Sequence, residues 1–239
     1  MNSTNIQFVL IHSPLVGPLT WSLVADELCQ RGYNAVGPEL QERDRSVAPF
    51  WQRHAQSVVE QIEAQELESR IILVAHSGAG MLLPVICKLT SKHIDAYLFA
   101  DSGIPRGMSS RLATFGDREA DFRQHLLGGG VFPNWTNGDL TELIPDAALR
   151  EQMLAEMRPR GIDFWEEQIP VFDGWPDAPC GYLLFSPIYT PEAEYARQHG
   201  WPVREIEAGH FHMLVDPDAV TEALLDLVAQ CLSEADTSL

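Results

Sequence analysis

Ile71-Ile72-Leu73-Val74-Ala75-His76-Ser77-Gly78-Ala79-Gly80-Met81-Leu82-Leu83 is the stretch on which the reading of this chain turns. Its first half, residues 71–75, is a short, bounded, β-rich apolar run and predicts a buried strand. Over residues 78–88, Met81, Leu82, Val85 and Ile86 recur at helical spacing and predict a helix. The chain must reverse between the two within very few residues. In that strand–turn–helix setting a serine is held on strained backbone with its hydroxyl pushed outward, as in a nucleophile elbow. Such a turn admits only small neighbours, and Ala75, Gly78, Ala79 and Gly80 supply them. The usual pattern places Gly two residues either side of the serine; Ala75 and Ala79 relax it by one methyl each. An ordinary strand-to-helix turn that happens to contain a serine is the plainer reading of the same residues.

The bulk properties bound what this turn belongs to. A chain of 239 residues suits one α/β domain with an insertion. Hydrophobic content of 45% and a mean hydropathy of -0.10 are those of a globular protein. Sixteen basic against thirty-four acidic residues give a formal charge of -18, which repels nucleic acid and anionic membranes. The acids are scattered, so they indicate solubility or a salty environment rather than a partner. No apolar run is long enough to cross a bilayer. Residues 1–5 carry no positive charge and run straight into a strand, so a cytoplasmic location is the expectation. Cys29, Cys87, Cys180 and Cys231 are widely spaced, with no Cys-x-x-Cys, and indicate neither a zinc site nor a disulfide framework. Cys87, in the apolar helix, reads as a small buried hydrophobe. There is no P-loop and no Gly-x-Gly-x-x-Gly, so no cofactor is expected. The pairs His210/His212 and Asp216/Asp218 have no ligating companions, so no metal is expected either.

Outward from residues 71–83 the pattern is regular. Strands are predicted over 6–11, 33–36 and 94–100. Helices are predicted over 22–31, with Thr20 or Ser22 as cap and Gly32 closing it, and over 50–66. This βαβαβαβ order signals a parallel sheet with helices on both faces, whose sites lie at the carboxyl ends of the strands. His12, Ser77 and Asp101 all fall at that edge. Residues 104–179 break the alternation. They are rich in Gly, Pro, Trp and Phe, with short helical pieces at 117–127, 147–157 and 163–168 and a hinge-like Gly128-Gly129-Gly130. We read them as a cap over the strand edge, with Phe132, Trp135, Phe164 and Trp165 either walling a pocket or forming the cap's own core. Alternation returns with strands at 181–186 and 202–206 and helices at 191–199 and 218–231.

Ser77, a histidine after the last strand and an acid between them follow the chain order of the α/β-hydrolases, and the chain resembles that superfamily. In detail it is similar to the short branch holding plant methylesterases and hydroxynitrile lyases. His12-Ser13-Pro14-Leu15-Val16-Gly17-Pro18-Leu19-Thr20-Trp21 resembles that branch's His-Gly-x-x-His-Gly-x-x-x-Trp loop. His210-Phe211-His212-Met213-Leu214-Val215-Asp216-Pro217 resembles its His-x-x-Met-Leu-x-x-Pro. The resemblance covers most of the chain and is weakest over 104–179. It implies an α/β-hydrolase fold: a mostly parallel six-stranded sheet with helices on both faces and a helical cap inserted before the penultimate strand. Residues 1–103 and 180–239 would form the core and 104–179 the cap or lid.

The resemblance implies Ser77 as nucleophile and His210 as base, with His212 as the competitor for that role and otherwise a pocket or surface residue. The acid usually follows the strand at 181–186, but Ser186-Pro187-Ile188-Tyr189-Thr190-Pro191 contains no carboxylate. Glu192, Glu194 and Asp101 remain open. Some members of the superfamily draw the acid from the end of the preceding strand, which points to Asp101; a turn aspartate bonding its own backbone is the other reading. Gly78 N–H is one expected oxyanion donor. The second would fall on Pro14, which has no N–H, so the Ser13 hydroxyl or the Leu15 N–H must substitute. His12, Phe132, Trp135, Trp165 and His212 are the expected pocket residues. The expected function is cofactor-free hydrolysis of a small apolar ester, thioester or lactone. Lyases of the similar branch carry Thr near Ser13, which keeps open a lyase or cyclase using Ser77 and His210 as a proton relay. They also carry Lys after the histidine, where this chain has Phe211. A non-catalytic ligand-binding protein is the third reading. The expected partner is a small-molecule substrate, with no nucleic acid and no membrane, and a homodimer is left open.

Overall fold

Ile6–Ile11 (β1) is buried at every position, as a strand hydrogen-bonded on both edges and covered on both faces must be. The structure, a computed structural model, describes residues 6–41, 48–64 and 69–237. Most of the loop expected over 39–48, and the end of the helix expected over 50–66, lie outside the described residues. After β1 come Leu19–Gln30 (α1), Asn34–Val36 (β2), Phe50–Glu63 (α2), Arg70–His76 (β3), Leu83–Leu89 (α3) and Ala96–Ala100 (β4). Residues 104–179 hold Ser109–Ser110 (β5), Glu119–Leu127 (α4), Asn137–Leu140 (α5), Ala147–Ala155 (α6), Ile162–Glu166 (α7) and Gln168–Ile169 (β6). Cys180–Leu184 (β7), Thr190–Gln198 (α8), Val203–Glu205 (β8) and Pro217–Thr237 (α9) complete the chain.

The six strands of the main sheet run in the order β2-β1-β3-β4-β7-β8, and every pairing is parallel. Side chains alternate between two cores. Phe8, Leu10, Ile72 and Val74 pack with Trp21 and Leu28 of α1 and Leu224 and Leu227 of α9. Val9, Ile11, Leu73 and Ala75 pack with Val58 of α2, Ile86 of α3 and Ala193 of α8. Helices therefore cover both faces. The chain leaves β1 toward β2 on one side and returns to β3 on the other. That reversal opens a crevice at the carboxyl ends of β1 and β3, where ligands bind in such sheets.

Three local readings are corrected. Helix α1 starts at Leu19, and neither Thr20 nor Ser22 caps it. Pro18, its φ fixed at -66°, starts the helix early, and the two hydroxyls donate back to the Gly17 and Leu19 carbonyls at 2.9 Å. Gly32 does close the helix, at φ +83°. Its N–H reaches Cys29 O and the next N–H reaches Leu28 O, both at 3.0 Å, in a Schellman motif. Second, the helix expected from Gly78 begins as a 3₁₀ turn, Ser77–Leu82. Pro84 has no N–H to give the Gly80 carbonyl, and Leu83 takes that carbonyl instead with the tighter spacing. Third, Cys87 is half-buried rather than buried, with its thiol 3.2 Å from an Asp177 oxygen. Residues 104–179 also hold an unforeseen antiparallel ribbon, Ser109 opposite Ile169 and Ser110 opposite Gln168, too short to show a period in sequence.

The elbow is tight because β3, the 3₁₀ turn and the end of β4 share one space. A Cβ on Gly80 would stand 2.2 Å from the Gly103 carbonyl oxygen and 2.3 Å from Ser102 Oγ. Backbone cannot yield as a flexible side chain can. Gly80→Ala is therefore expected to destabilise the protein by about 3 kcal/mol, an overpacking cost, read as a lower urea midpoint at unchanged m-value. An unchanged midpoint would show that the elbow has slack the geometry denies.

Candidate active site

Ser77 follows directly on β3 and has φ +58°, in the left-handed region that a serine rarely enters. Hydrogen bonds over-determine that conformation. Ser77 N donates to Asp101 O at 3.2 Å, while Gly103 N and Ser102 Oγ donate to Ser77 O at 3.3 and 2.6 Å. The strained turn is thus clamped by the end of β4, as strained functional residues generally are by their surroundings. Asp101, fully buried, is the other non-glycine residue at positive φ among the described residues, +43°.

Asp101 is turned away from its own backbone. Its Oδ1 accepts from Phe185 N at 2.8 Å and Ser186 N at 3.0 Å; its Oδ2 accepts from Ser186 Oγ and lies 2.8 Å from His210 Nδ1. A buried carboxylate is costly unless hydrogen-bonded, and this one is fully engaged. Of the three acids left open, it is the one that meets His210. Glu192 accepts from Ile104 N at 3.1 Å and Arg106 Nη2 at 2.6 Å, and Glu194 pairs with Arg197 at 2.9 Å. Because Asp101 only accepts, His210 carries its proton on Nδ1, which leaves Nε2 with a free lone pair.

His210 is held from both sides. His76 packs against it at 4.4 Å between ring centroids, and its Nε2 donates to the His210 carbonyl at 2.9 Å. Burial holds His76 well below the ordinary imidazole pKa, so it is neutral. On the other side the Tyr189 ring stacks at 5.3 Å and 11°, and its hydroxyl lies 3.3 Å from Ser77 Oγ. Burial pushes the Tyr189 pKa up to about 12, which keeps the phenol protonated. Neither role was foreseen. Tyr189 lies in the segment that lacks the expected acid, and only its closeness in sequence to that turn hinted at the site.

Ser13, Pro14, Leu15, Ser77, Gly78, Tyr189 and His210 all border one cavity of about 380 Å³. Ser13 is buried, with its Oγ 3.5 Å from where a Gly78 Cβ would stand. The Leu15 N–H donates to Ser13 Oγ at 3.3 Å. That bond occupies Leu15 and leaves the Ser13 proton free to point elsewhere. Phe132, Trp135, Phe164 and Trp165 line the cavity and also pack on one another. His12 and His212 do not line it, which corrects that expectation. His12 is completely buried; its Nδ1 donates to Ser13 O at 2.8 Å and its Nε2 accepts from Leu40 N at 3.2 Å. Burial lowers its pKa to about 3, and the neutral ring braces the Ser13 loop from behind. His212 turns toward Phe185, 5.9 Å between ring centroids. Arg111 lines the cavity as well, in an almost fully buried ion pair with Glu167 at 2.5 Å. Glu167 also accepts the first N–H groups of α2, at 2.7 and 3.0 Å. Among the described residues no group of three or more His, Cys, Asp or Glu could hold a metal ion, and no helix is long and apolar enough to cross a membrane.

Solved structures share this architecture. An extracellular alpha/beta-hydrolase from a Paenibacillus species, described as sharing structural and functional homology with tobacco Salicylic Acid Binding Protein 2, superposes with a TM-score of 0.76 at 18% identity, over 93% of this chain and 98% of that one. Polyneuridine aldehyde esterase gives 0.71 at 17%, over 92% and 98%. A pyrethroid hydrolase from Sphingobium faniae JZ-2 gives 0.70 at 17%, over 94% and 98%. At such identities the likeness is one of fold. No curated protein matches the chain. The model of the Alpha/beta hydrolase family, however, matches residues 8–223, and on that match the chain belongs to the alpha/beta hydrolase family.

Proposed function

We propose that the protein is a cofactor-free serine hydrolase of a small, largely apolar ester, thioester or lactone. The observation that carries this reading is the Asp101–His210 contact at 2.8 Å, beside a serine held at φ +58° on the same cavity. Ser77 Oγ attacks the carbonyl carbon while His210 Nε2 takes its proton. Asp101 keeps the other ring nitrogen protonated and stabilises the cation. His210 then returns the proton to the departing alcohol, leaving an acyl-enzyme. Water, activated by the same histidine, releases the acid and restores Ser77. Gly78 N–H and the Ser13 hydroxyl hold the developing oxyanion, and the Tyr189 phenol steadies Ser77 Oγ. Residues 104–179 act as a cap whose aromatics exclude water and grip the apolar part of the substrate. The reading includes no cofactor, nucleic-acid or membrane partner, and a cytoplasmic location.

The test of the class is release of p-nitrophenol from p-nitrophenyl butanoate, with a burst equal to the enzyme concentration if deacylation limits turnover. No hydrolysis of any activated ester would defeat it. Ser13→Ala tests the substituted oxyanion donor. Removing one such donor typically costs about 3 kcal/mol, so kcat is expected to fall about 100-fold with KM little changed. A fall below threefold would show that Ser13 is not the second donor. Ser13 also bears on a lyase using Ser77 and His210 as a proton relay, which Pro14 and the free Ser13 hydroxyl favour. In that case Ser13→Ala would be nearly as damaging as loss of Ser77, and no acyl intermediate would form. Phe211, 2% exposed, places an apolar ring rather than a cation beside His210 and weighs against it.

A further inference from the structure

The charges that border the cavity do not cancel. Arg111 is neutralised by Glu167 at 2.5 Å, and Glu192 by Arg106 at 2.6 Å. Arg118 is left. It lines the cavity with an exposed side chain, and its guanidinium lies 5.8 Å from the centre of the Phe115 ring. Among the described residues no carboxylate pairs with it. Glu119, its chain neighbour, is taken by Arg123 at 3.4 Å, and Asp117 is exposed and outside the cavity lining. In a chain with thirty-four acids and sixteen bases, a cation at the site without an acid partner stands out from the other arginines, most of which are paired. Arg118 shares the cavity lining with Ser77, Tyr189 and His210. The Tyr189 pKa is raised first by burial, and the Arg118 charge is the smallest of the influences on it, pulling against that rise.

Building on the hydrolase reading, we propose that the substrate is an ester carrying a carboxylate at the end remote from the scissile bond, with that carboxylate held by Arg118. The aromatic wall of Phe115, Phe132, Trp135 and Trp165 takes the hydrocarbon between the two polar ends. A guanidinium matches a carboxylate in fork geometry, and the Phe115 ring beneath it orients the fork. The net charge of -18 opposes an anion at long range, but ions screen that field beyond about 8 Å at physiological salt, leaving the local cation to decide binding.

The experiment compares kcat/KM for the mono-p-nitrophenyl esters of succinic, adipic and suberic acids with that for the p-nitrophenyl esters of butanoic, hexanoic and octanoic acids. Each matched pair differs by one terminal carboxylate. At the best-fitting length the charged ester is expected to be preferred about fivefold, a gain kept modest by the exposure of the guanidinium. Arg118→Gln is expected to bring the ratio to about one, Arg118→Lys to keep part of it, and 0.5 M salt to reduce it. The same ratio in wild type and Arg118→Gln at every length overturns the proposal and leaves the hydrolase reading standing. If the wild type turns over none of the six esters, the hydrolase reading fails instead. Calorimetric titration of monomethyl adipate against methyl hexanoate, with and without Arg118→Gln, then decides the carboxylate site. Tighter binding of the adipate that depends on Arg118 supports it, and equal binding overturns it.

Discussion

Ser77→Ala is expected to lower kcat for p-nitrophenyl butanoate by on the order of 10⁶-fold, about 8 kcal/mol of transition-state stabilisation. The size follows from the mechanism. Without Oγ there is no covalent route, His210 has no proton to move, and only binding and the oxyanion donors remain. Stability is expected to move the other way or not at all. Ser77 sits at φ +58°, and the bonds that clamp it there use its backbone N–H and carbonyl, which alanine keeps. Folding intact and activity gone is therefore the expected pair of results, read by thermal unfolding and by initial rates. A variant that retains even a hundredth of the wild-type kcat would move the nucleophile elsewhere.

Asp101→Asn is the second large effect and the more diagnostic one. Phe185 N and Ser186 N both donate to Oδ1, so the amide of an introduced asparagine must keep its oxygen there. Its NH₂ is then forced onto the Oδ2 position, facing Ser186 Oγ and His210 Nδ1. An NH₂ donates, so Nδ1 must become the acceptor and the ring proton must shift to Nε2. In that tautomer His210 cannot take the proton of Ser77. The expected loss is about 10⁴-fold in kcat with the cavity unchanged, and KM should move little. A loss under tenfold would mean that Asp101 is a turn residue that happens to touch the histidine.

How much of this was legible beforehand depends on what each residue's signal was. The parallel sheet and its helices were, because β1, β3 and β4 are runs of buried residues and Gly32 marks a helix end by its backbone alone. The Ser77 turn was legible for the same reason: small residues flanking a serine between two apolar runs constrain the backbone locally. The choice of acid was legible only through the resemblance, which points to Asp101 and leaves a turn aspartate as the other reading. Asp101 and His210 are 109 positions apart, and nothing near either residue says that the Ser186 backbone turns the carboxylate toward the imidazole. His12 was placed at the correct edge of the sheet, but position along a strand does not fix which side of a loop a ring packs on. It braces the Ser13 carbonyl from inside instead of facing the cavity. Tyr189 has no local signal, because its hydroxyl meets Ser77 Oγ 112 positions away in sequence. Helix boundaries moved where proline changed the donors: Pro18 advanced α1, and Pro84 tightened the turn after Ser77.

The most direct measurement is the intact mass of the protein after reaction with a fluorophosphonate, followed by peptide mapping. The proposed hydrolase mechanism predicts one phosphonyl adduct per chain, carried by the peptide containing residue 77 and absent from Asp101→Asn at short reaction times. A folded wild-type protein that stays unmodified, or takes the label on another peptide, would contradict the account at its root.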